Sequence, residues 1–378
     1  MRGVKVASAA IALFIGVLAA IPASAWNRGN VQVLTVLPDL LVEPGVIQPG
    51  VKSSVEGLTV GPDGNIYVPT FGFNTTGPVN PNSNAQLYVI SPNGKIVRQL
   101  IITGSSPHML GLAFNPVTGN LLVLDFGAGK VLNVDPTTGH SSVFAVAPVI
   151  TSEGPGLNAL TFDTTGNVYV SDSFQGVIWK IPPTGGSITM WSQLASQPLL
   201  GPGTGLTPPF GANGVEFSND HKTLYVADTA YHQIIQIPVN SDGSAGAASI
   251  FITGINAPDG IMVDPNDNIW ICSNQEDEIV VVDKTGKVIA KLGDFYGIDP
   301  RGIAQGFLFP ASLAFSPDGK WLYVSNLTLY LPYAGANLAI DSAWTLQVQG
   351  YTVSVLPAEI PPINQNQQGQ NGQGQNQQ

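Results

Sequence analysis

The stretch Gly214-VEFSNDHKTLYVA-Asp228 holds a short apolar strand, a turn rich in Asn and Asp, and a second strand with Tyr between Leu and Val. The same phrase recurs as Gly57-LTVGPDGNIYV-Pro69, Gly111-LAFNPVTGNLLVL-Asp125, Ala159-LTFDTTGNVYVS-Asp172, Gly260-IMVDPNDNIWIC-Ser273 and Ser312-LAFSPDGKWLYVS-Asn326. The residues just before the six copies are 56, 110, 158, 213, 259 and 311, at intervals of 54, 48, 55, 46 and 52. Two weaker strands follow each pair, such as Gly176-VIWKI-Pro182 and Ser187-ITMWS-Gln193. Four strands per unit at this period describe the blade of a β-propeller. A helical solenoid is excluded, because no stretch repeats apolar residues at i, i+3, i+4 and i+7 over three turns. The expectation is an all-β, six-bladed propeller of four-stranded antiparallel blades. The sixth repeat stops after its third strand, at Tyr351 to Leu356, so Val31 to Leu37 is expected to close the ring.

Composition agrees with a large folded core. Of 378 residues 44% are hydrophobic and only 10% charged, against about 25% in ordinary globular chains, while 43 Gly and 30 Pro supply turns. Arg2 and Lys5 precede an apolar run from Val6 to Ile21 that ends at Pro22 and Ala23-Ser24-Ala25, so residues 1–25 read as a cleaved signal peptide of a secreted or periplasmic protein. The domain would then span 26–363, and the Gln, Asn and Gly run 364–378 reads as a disordered tail. Without Arg2 and Lys5 the chain carries 12 basic and 25 acidic residues, a net −13 with no basic cluster. Nucleic acid and, after signal cleavage, membrane are therefore not expected partners. A monomer is expected. The single cysteine, Cys272, lies in an apolar strand, which excludes an internal disulfide and reads as a buried thiol.

In an up-and-down blade the starts of the six innermost strands form a ring around the axis. That ring reads Glu56, Leu110, Asn158, Asn213, Asp259 and Ala311. Four of the six are oxygen ligands with no His or Cys among them, which points to a hard divalent cation, Ca²⁺ first and Mg²⁺, Mn²⁺ or Zn²⁺ after it. His108, at the entry to the second blade, is a candidate general base. Asp125, Asp172, Asp228 and Asn326 recur at the ends of second strands, as residues that hold turns do. The long connections fall on the ring face and carry Phe71, Phe73, Phe210, Phe309 and Tyr333, enough to wall an apolar pocket.

Gly211-ANGVEFSNDHKTLYVAD-Thr229 and Ala257-PDGIMVDPNDNIWI-Cys272, with Val55-Glu56-Gly57 upstream, resemble the six-bladed gluconolactonase and regucalcin (SMP-30/gluconolactonase/LRE-type) family, to which the squid-type phosphotriesterases are similar. The resemblance covers about residues 53 to 326. It implies a divalent metal on the axis held by Glu56, Asn213 and Asp259, with Asn158 matching a further Asn that binds metal in one branch and lies by the substrate in another. The Arg and Asn-Asp pair of the sugar-lactonase branch are missing around Gly156-Leu157-Asn158-Ala159, and Ala311-Ser312 stand where the phosphotriesterase branch has a His. The expected function is a secreted metal-dependent hydrolase, a lactonase or related esterase for a small lactone or ester with an apolar part. A metal-activated water would attack, with Asp259 or Glu56 as proton acceptor. The alternative is a non-catalytic secreted propeller that binds a protein or polysaccharide and uses its cation structurally.

Overall fold

Each copy of the repeated phrase becomes the two inner strands of one blade in the computed structural model, which describes residues 26–193, 210–334 and 342–360. Blade three shows the plan: Leu157–Phe162, Val168–Asp172, Val177–Ile181 and Thr189–Gln193 pair in sequence order as an antiparallel sheet. Six such sheets are present, and the innermost strands of neighbouring blades pack side by side around the axis. The molecule is an all-β, six-bladed propeller.

Closure follows the expectation. Gln32–Val36 pairs antiparallel with Thr352–Pro357, with Gln32 opposite Val355 and Val36 opposite Thr352, and becomes the outer strand of blade six. Trp26–Asn27 adds a parallel fifth strand to blade five beside Val288–Leu292. Arg28, just after it, is ion-paired to the buried Glu278 at 2.6 Å and to Asp294 at 3.0 Å. The N-terminal segment thus stitches blade five to blade six. The signal expected at 1–25 and the tail expected at 364–378 lie outside the described residues.

Among the described residues six apolar clusters fill the gaps between blades, one in each, such as Leu122, Leu124, Trp179 and Ile181 between blades two and three. Strands buried on both faces explain the uninterrupted apolar runs of the second strands. Cys272 is fully buried in the gap between blades five and six, and burial pushes its thiol well above the usual range.

Candidate functional site: an oxygen ring on the propeller axis

Every innermost strand carries one extra residue where it enters the blade. Asn213 shows it: Ala212 is opposite Asp228, yet Val215 is opposite Val226, so three steps on the inner strand match two on its partner. The same slip occurs at Leu110, Asn158 and Asp259, between Pro310 and Ser312 in blade six, and between Val55 and Thr59 in blade one. A bulge re-aims the side chain at the slip, and six bulges turn six ring positions toward one axis. The residue after each must be small, because the blades meet there. A Cβ on Gly57 would stand 2.1 Å from the Leu110 carbonyl oxygen, and one on Gly214 would stand 2.3 Å from that of Asp259. Asn213-Gly214 and Asp259-Gly260 are therefore bulges at a close approach rather than turns.

Glu56, Asn158, Asn213 and Asp259 line one cavity on the axis, each no more than 6% exposed. Their nitrogen and carboxylate contacts are specific. Asn158 Nδ2 donates to Ser173 Oγ at 3.1 Å, Asn213 Nδ2 donates to Thr229 Oγ1 at 3.0 Å, and Asp259 Oδ2 accepts from Asn274 Nδ2 at 3.0 Å. The remaining oxygens of these three residues, each named Oδ1, are buried without a hydrogen-bond donor. Burial, and then the charge of Asp259, push Glu56 well above the usual carboxylate range. Burial likewise lifts Asp259 to about 7, against the pull of the neighbouring Asn213, Asn274 and Glu56 side chains. The carboxyl groups of Glu56 and Asp259 and the orphaned oxygens of two amides in one buried cavity are an arrangement that favours a positive guest, since an unpaired buried acceptor costs roughly 1–3 kcal/mol. Among the described residues no three His, Cys, Asp or Glu side chains come together, because half of this donor set is amide. An all-oxygen set of mixed charge suits a hard divalent cation.

The other half of the cavity is apolar. Phe71 and Leu110 come from blades one and two, Phe210 from the entry to blade four, and Leu327, Leu329 and Leu331 from the connection after the second strand of blade six. An aromatic belt runs along this wall, with Phe71 and Phe126 ring centres 6.0 Å apart, Phe126 and Phe174 5.4 Å apart, and Phe174 stacked on Phe210 at 5.6 Å. His108 does not line the cavity. Its Nδ1 is 2.7 Å from the Phe71 carbonyl and its ring lies against Phe71 and Phe73, behind the wall. Asp125 accepts from the Ser106 amide at 3.0 Å, Asp172 from the Gly156 amide at 2.9 Å, and Asn326 Oδ1 from the Leu308 amide at 3.1 Å. These three hold the loop entering the innermost strand of their own blade.

Ser173, Thr229 and Asn274 were not singled out from the sequence, although a signal existed. The column just after the second strands reads Phe71, Phe126, Ser173, Thr229, Asn274 and Leu327. It is polar only in blades three, four and five, where consecutive ring residues are Asn, Asn and Asp.

The fold and this ring together define a six-bladed propeller with an axial oxygen site. Residues 210–293, which hold Asn213 and Asp259, match the family described as SMP-30/Gluconolactonase/LRE-like region. Over that span the sequence is similar to gluconolactonase- and regucalcin-like proteins. It is 28% identical over 142 residues to lactonase drp35 of Staphylococcus saprophyticus, 35% of this chain and 40% of that protein. The match therefore spans about two fifths of that relative's length. Among solved structures, the calcium-binding regucalcin of Agrobacterium tumefaciens is 18% identical with a TM-score of 0.59, covering 90% of this chain and 99% of that one. A gluconolactonase of Xanthomonas campestris is 15% identical with a TM-score of 0.56, covering 81% and 86%. At these identities the two structures speak to the fold.

Proposed function

We propose that this protein is a secreted, divalent-cation-dependent hydrolase that opens a lactone or a related ester with an apolar part. The observation that carries this reading is the buried oxygen set of Glu56, Asn158, Asn213 and Asp259 facing an apolar wall across one cavity. Those four residues would hold the cation, with Ca²⁺ the first candidate. When bound, such an ion acts as a Lewis acid toward a carbonyl oxygen and makes water more acidic. The chain's own part is distinct. Asp259 Oδ2 is fixed by Asn274, which leaves Oδ1 facing the cavity, and Asp259 or Glu56 accepts the proton of the attacking water. Glu56, across the ring, is the second acceptor. Phe71, Leu110, Leu327 and Leu329 exclude bulk water and receive the hydrocarbon part of the substrate. A free sugar finds few hydrogen-bond partners on that wall. His108 acts through Phe71, whose carbonyl it holds. The secretion part rests on the leader-like residues 1–25.

One observation favours the second reading, a binding propeller with a structural cation. The cavity over the ring measures about 40 Å³, room for a few waters and far below the roughly 300 Å³ of ordinary small-ligand sites. Turnover therefore requires the apolar wall to yield to substrate. The deciding experiment is a screen of aliphatic and aromatic lactones and esters, with metal and substrate both varied. Glu56→Gln or Asp259→Asn should lower kcat by about 10² to 10⁴ at saturating metal, the usual cost of losing a general base. Asp125→Asn and Asp172→Asn should change stability more than turnover. Ca²⁺ binding with no metal-dependent turnover on any substrate would hand the case to the binding propeller.

A further inference from the structure

Ser173, Thr229 and Asn274 each touch two things: a ring residue of their own blade, and the backbone of the next blade just before its ring position. Ser173 Oγ donates to the Ala212 carbonyl at 2.6 Å, Thr229 Oγ1 donates to the Pro258 carbonyl at 2.7 Å, and Asn274 Nδ2 reaches the Pro310 carbonyl at 3.4 Å. All three side chains are buried. From these contacts we infer that Ser173, Thr229 and Asn274 are positioning residues, a hydrogen-bond relay running from blade three to blade six whose proton count turns the Oδ1 atoms of Asn158 and Asn213 to the axis.

A hydroxyl has one proton. In Thr229 that proton is committed to the Pro258 carbonyl, which can only accept. Toward Asn213 the hydroxyl must therefore accept, so Asn213 turns its NH₂ to Thr229 and its Oδ1 to the axis. Ser173 repeats the constraint, with its proton on Ala212 and the NH₂ of Asn158 behind it. The amide orientations, which O and N positions alone leave ambiguous, are thereby fixed. In blade five the ring residue is a carboxylate and only accepts, so a hydroxyl whose proton was committed to the next blade would leave it unserved. There the chain carries Asn274, whose NH₂ has two protons, one for Asp259 Oδ2 and one for the Pro310 carbonyl. Its own oxygen accepts from Gln275 Nε2 at 2.5 Å. The change from hydroxyl to amide coincides with the change from amide to carboxylate at the ring. In blades one, two and six the same column holds Phe71, Phe126 and Leu327, and no relay exists.

This inference rests in part on the cation reading above, so its test has two separate readouts. The first is Ca²⁺ affinity by calorimetry on the full chain. Thr229→Val keeps the shape and removes both hydrogen bonds. Loss of a residue that orients a ligand typically costs about 10- to 100-fold in metal affinity, and that loss is expected here. Thr229→Ser, which restores the hydroxyl, should bring affinity back to within a few-fold of wild type. The second readout needs no metal: the side-chain NH₂ resonances of Asn213, assigned by their loss in Asn213→Asp. They should exchange slowly with solvent in wild type and Thr229→Ser, and quickly in Thr229→Val. If wild type binds no Ca²⁺ while the exchange pattern holds, the cation reading falls and the relay stands. If Thr229→Val is folded and keeps both wild-type affinity and slow exchange, the relay is wrong. Should Thr229→Val fail to fold, Ser173→Ala carries the same pair of measurements on Asn158.

Discussion

Glu216 sits three residues past Asn213 on the innermost strand of blade four and lines the axial channel beyond the ring, a space of about 390 Å³. Its Oε1 accepts from Thr161 Oγ1 at 2.9 Å and from the Phe217 amide at 3.0 Å. Burial outweighs both bonds and lifts its pKa from 4.5 to about 7. An acid raised on folding binds more protons folded than unfolded between those values. Its stabilising effect is complete below the unfolded pKa and is lost as pH rises through 7. Asp228 is raised in the same direction, also to about 7 by burial, so the slope of wild-type stability is a sum over several groups. Glu216→Gln removes one member. Between pH 4 and 8 the stability difference between wild type and Glu216→Gln should change by up to about 3 kcal/mol, to the disadvantage of wild type at high pH, as read by urea unfolding. A difference that does not move with pH would mean that Glu216 ionises freely. Nothing in the sequence marks this residue. The equivalent column holds Thr59, Ala113, Thr161, Met262 and Ala314, so no repeat of ionisable groups exists to find. Glu56 and Asp259, by contrast, were legible because they share a column with Asn158 and Asn213.

At the scale of the strand, what periodicity revealed was pairing, and what it concealed was the bulge. The apolar runs of Tyr169 or Trp270 with their neighbours mark the second strands directly, since both faces are buried in the gaps between blades. The extra residue at each ring position leaves no such trace. Its only sign is the small residue that follows, Gly in blades one, two, four and five, Ala159 in blade three and Ser312 in blade six. Gly214→Ala would press a methyl group against the Asp259 carbonyl. Overpacking of this kind costs about 1–3 kcal/mol, and because the displaced backbone carries Asp259, the variant should also bind Ca²⁺ more weakly. Loss of stability with unchanged affinity would show that the bulge serves packing alone. The closing strand makes a second prediction. Without residues 26–40, blade six has an open edge and Glu278 loses Arg28, so the truncated chain should not fold in soluble form. Cooperative unfolding of the truncated chain at the original midpoint would refute the closure argument.

Across the whole molecule, the ring joins blades that are far apart in sequence. Glu56 belongs to blade one and Asp259 to blade five, while Asn158 and Asn213 supply blades three and four between them. A cation held by all four would tie blade one to blades three, four and five without passing through the outer closure, and would offset the charge of the two carboxyl groups whose ionisation burial disfavours. A ligand that binds only the native state stabilises it by RT ln(1 + [L]/Kd), about 2.7 kcal/mol at a hundredfold excess over Kd. In a domain of this size that is a rise of a few °C in Tm. With 25 acidic residues against 14 basic, the chain also gains from simple screening by any salt, so the comparison must be made at matched ionic strength in Na⁺. The expected result is a rise in Tm on going from chelator to millimolar Ca²⁺ that Na⁺ does not reproduce and that Asp259→Ala abolishes. Asp259→Ala should itself melt higher than wild type in chelator at pH 8, because it removes one of two buried carboxyl groups that face each other with no cation between them. If wild type melts identically in chelator and in Ca²⁺, the orphaned oxygens of Asn158, Asn213 and Asp259 are served by water, and the axial ring is a feature of packing.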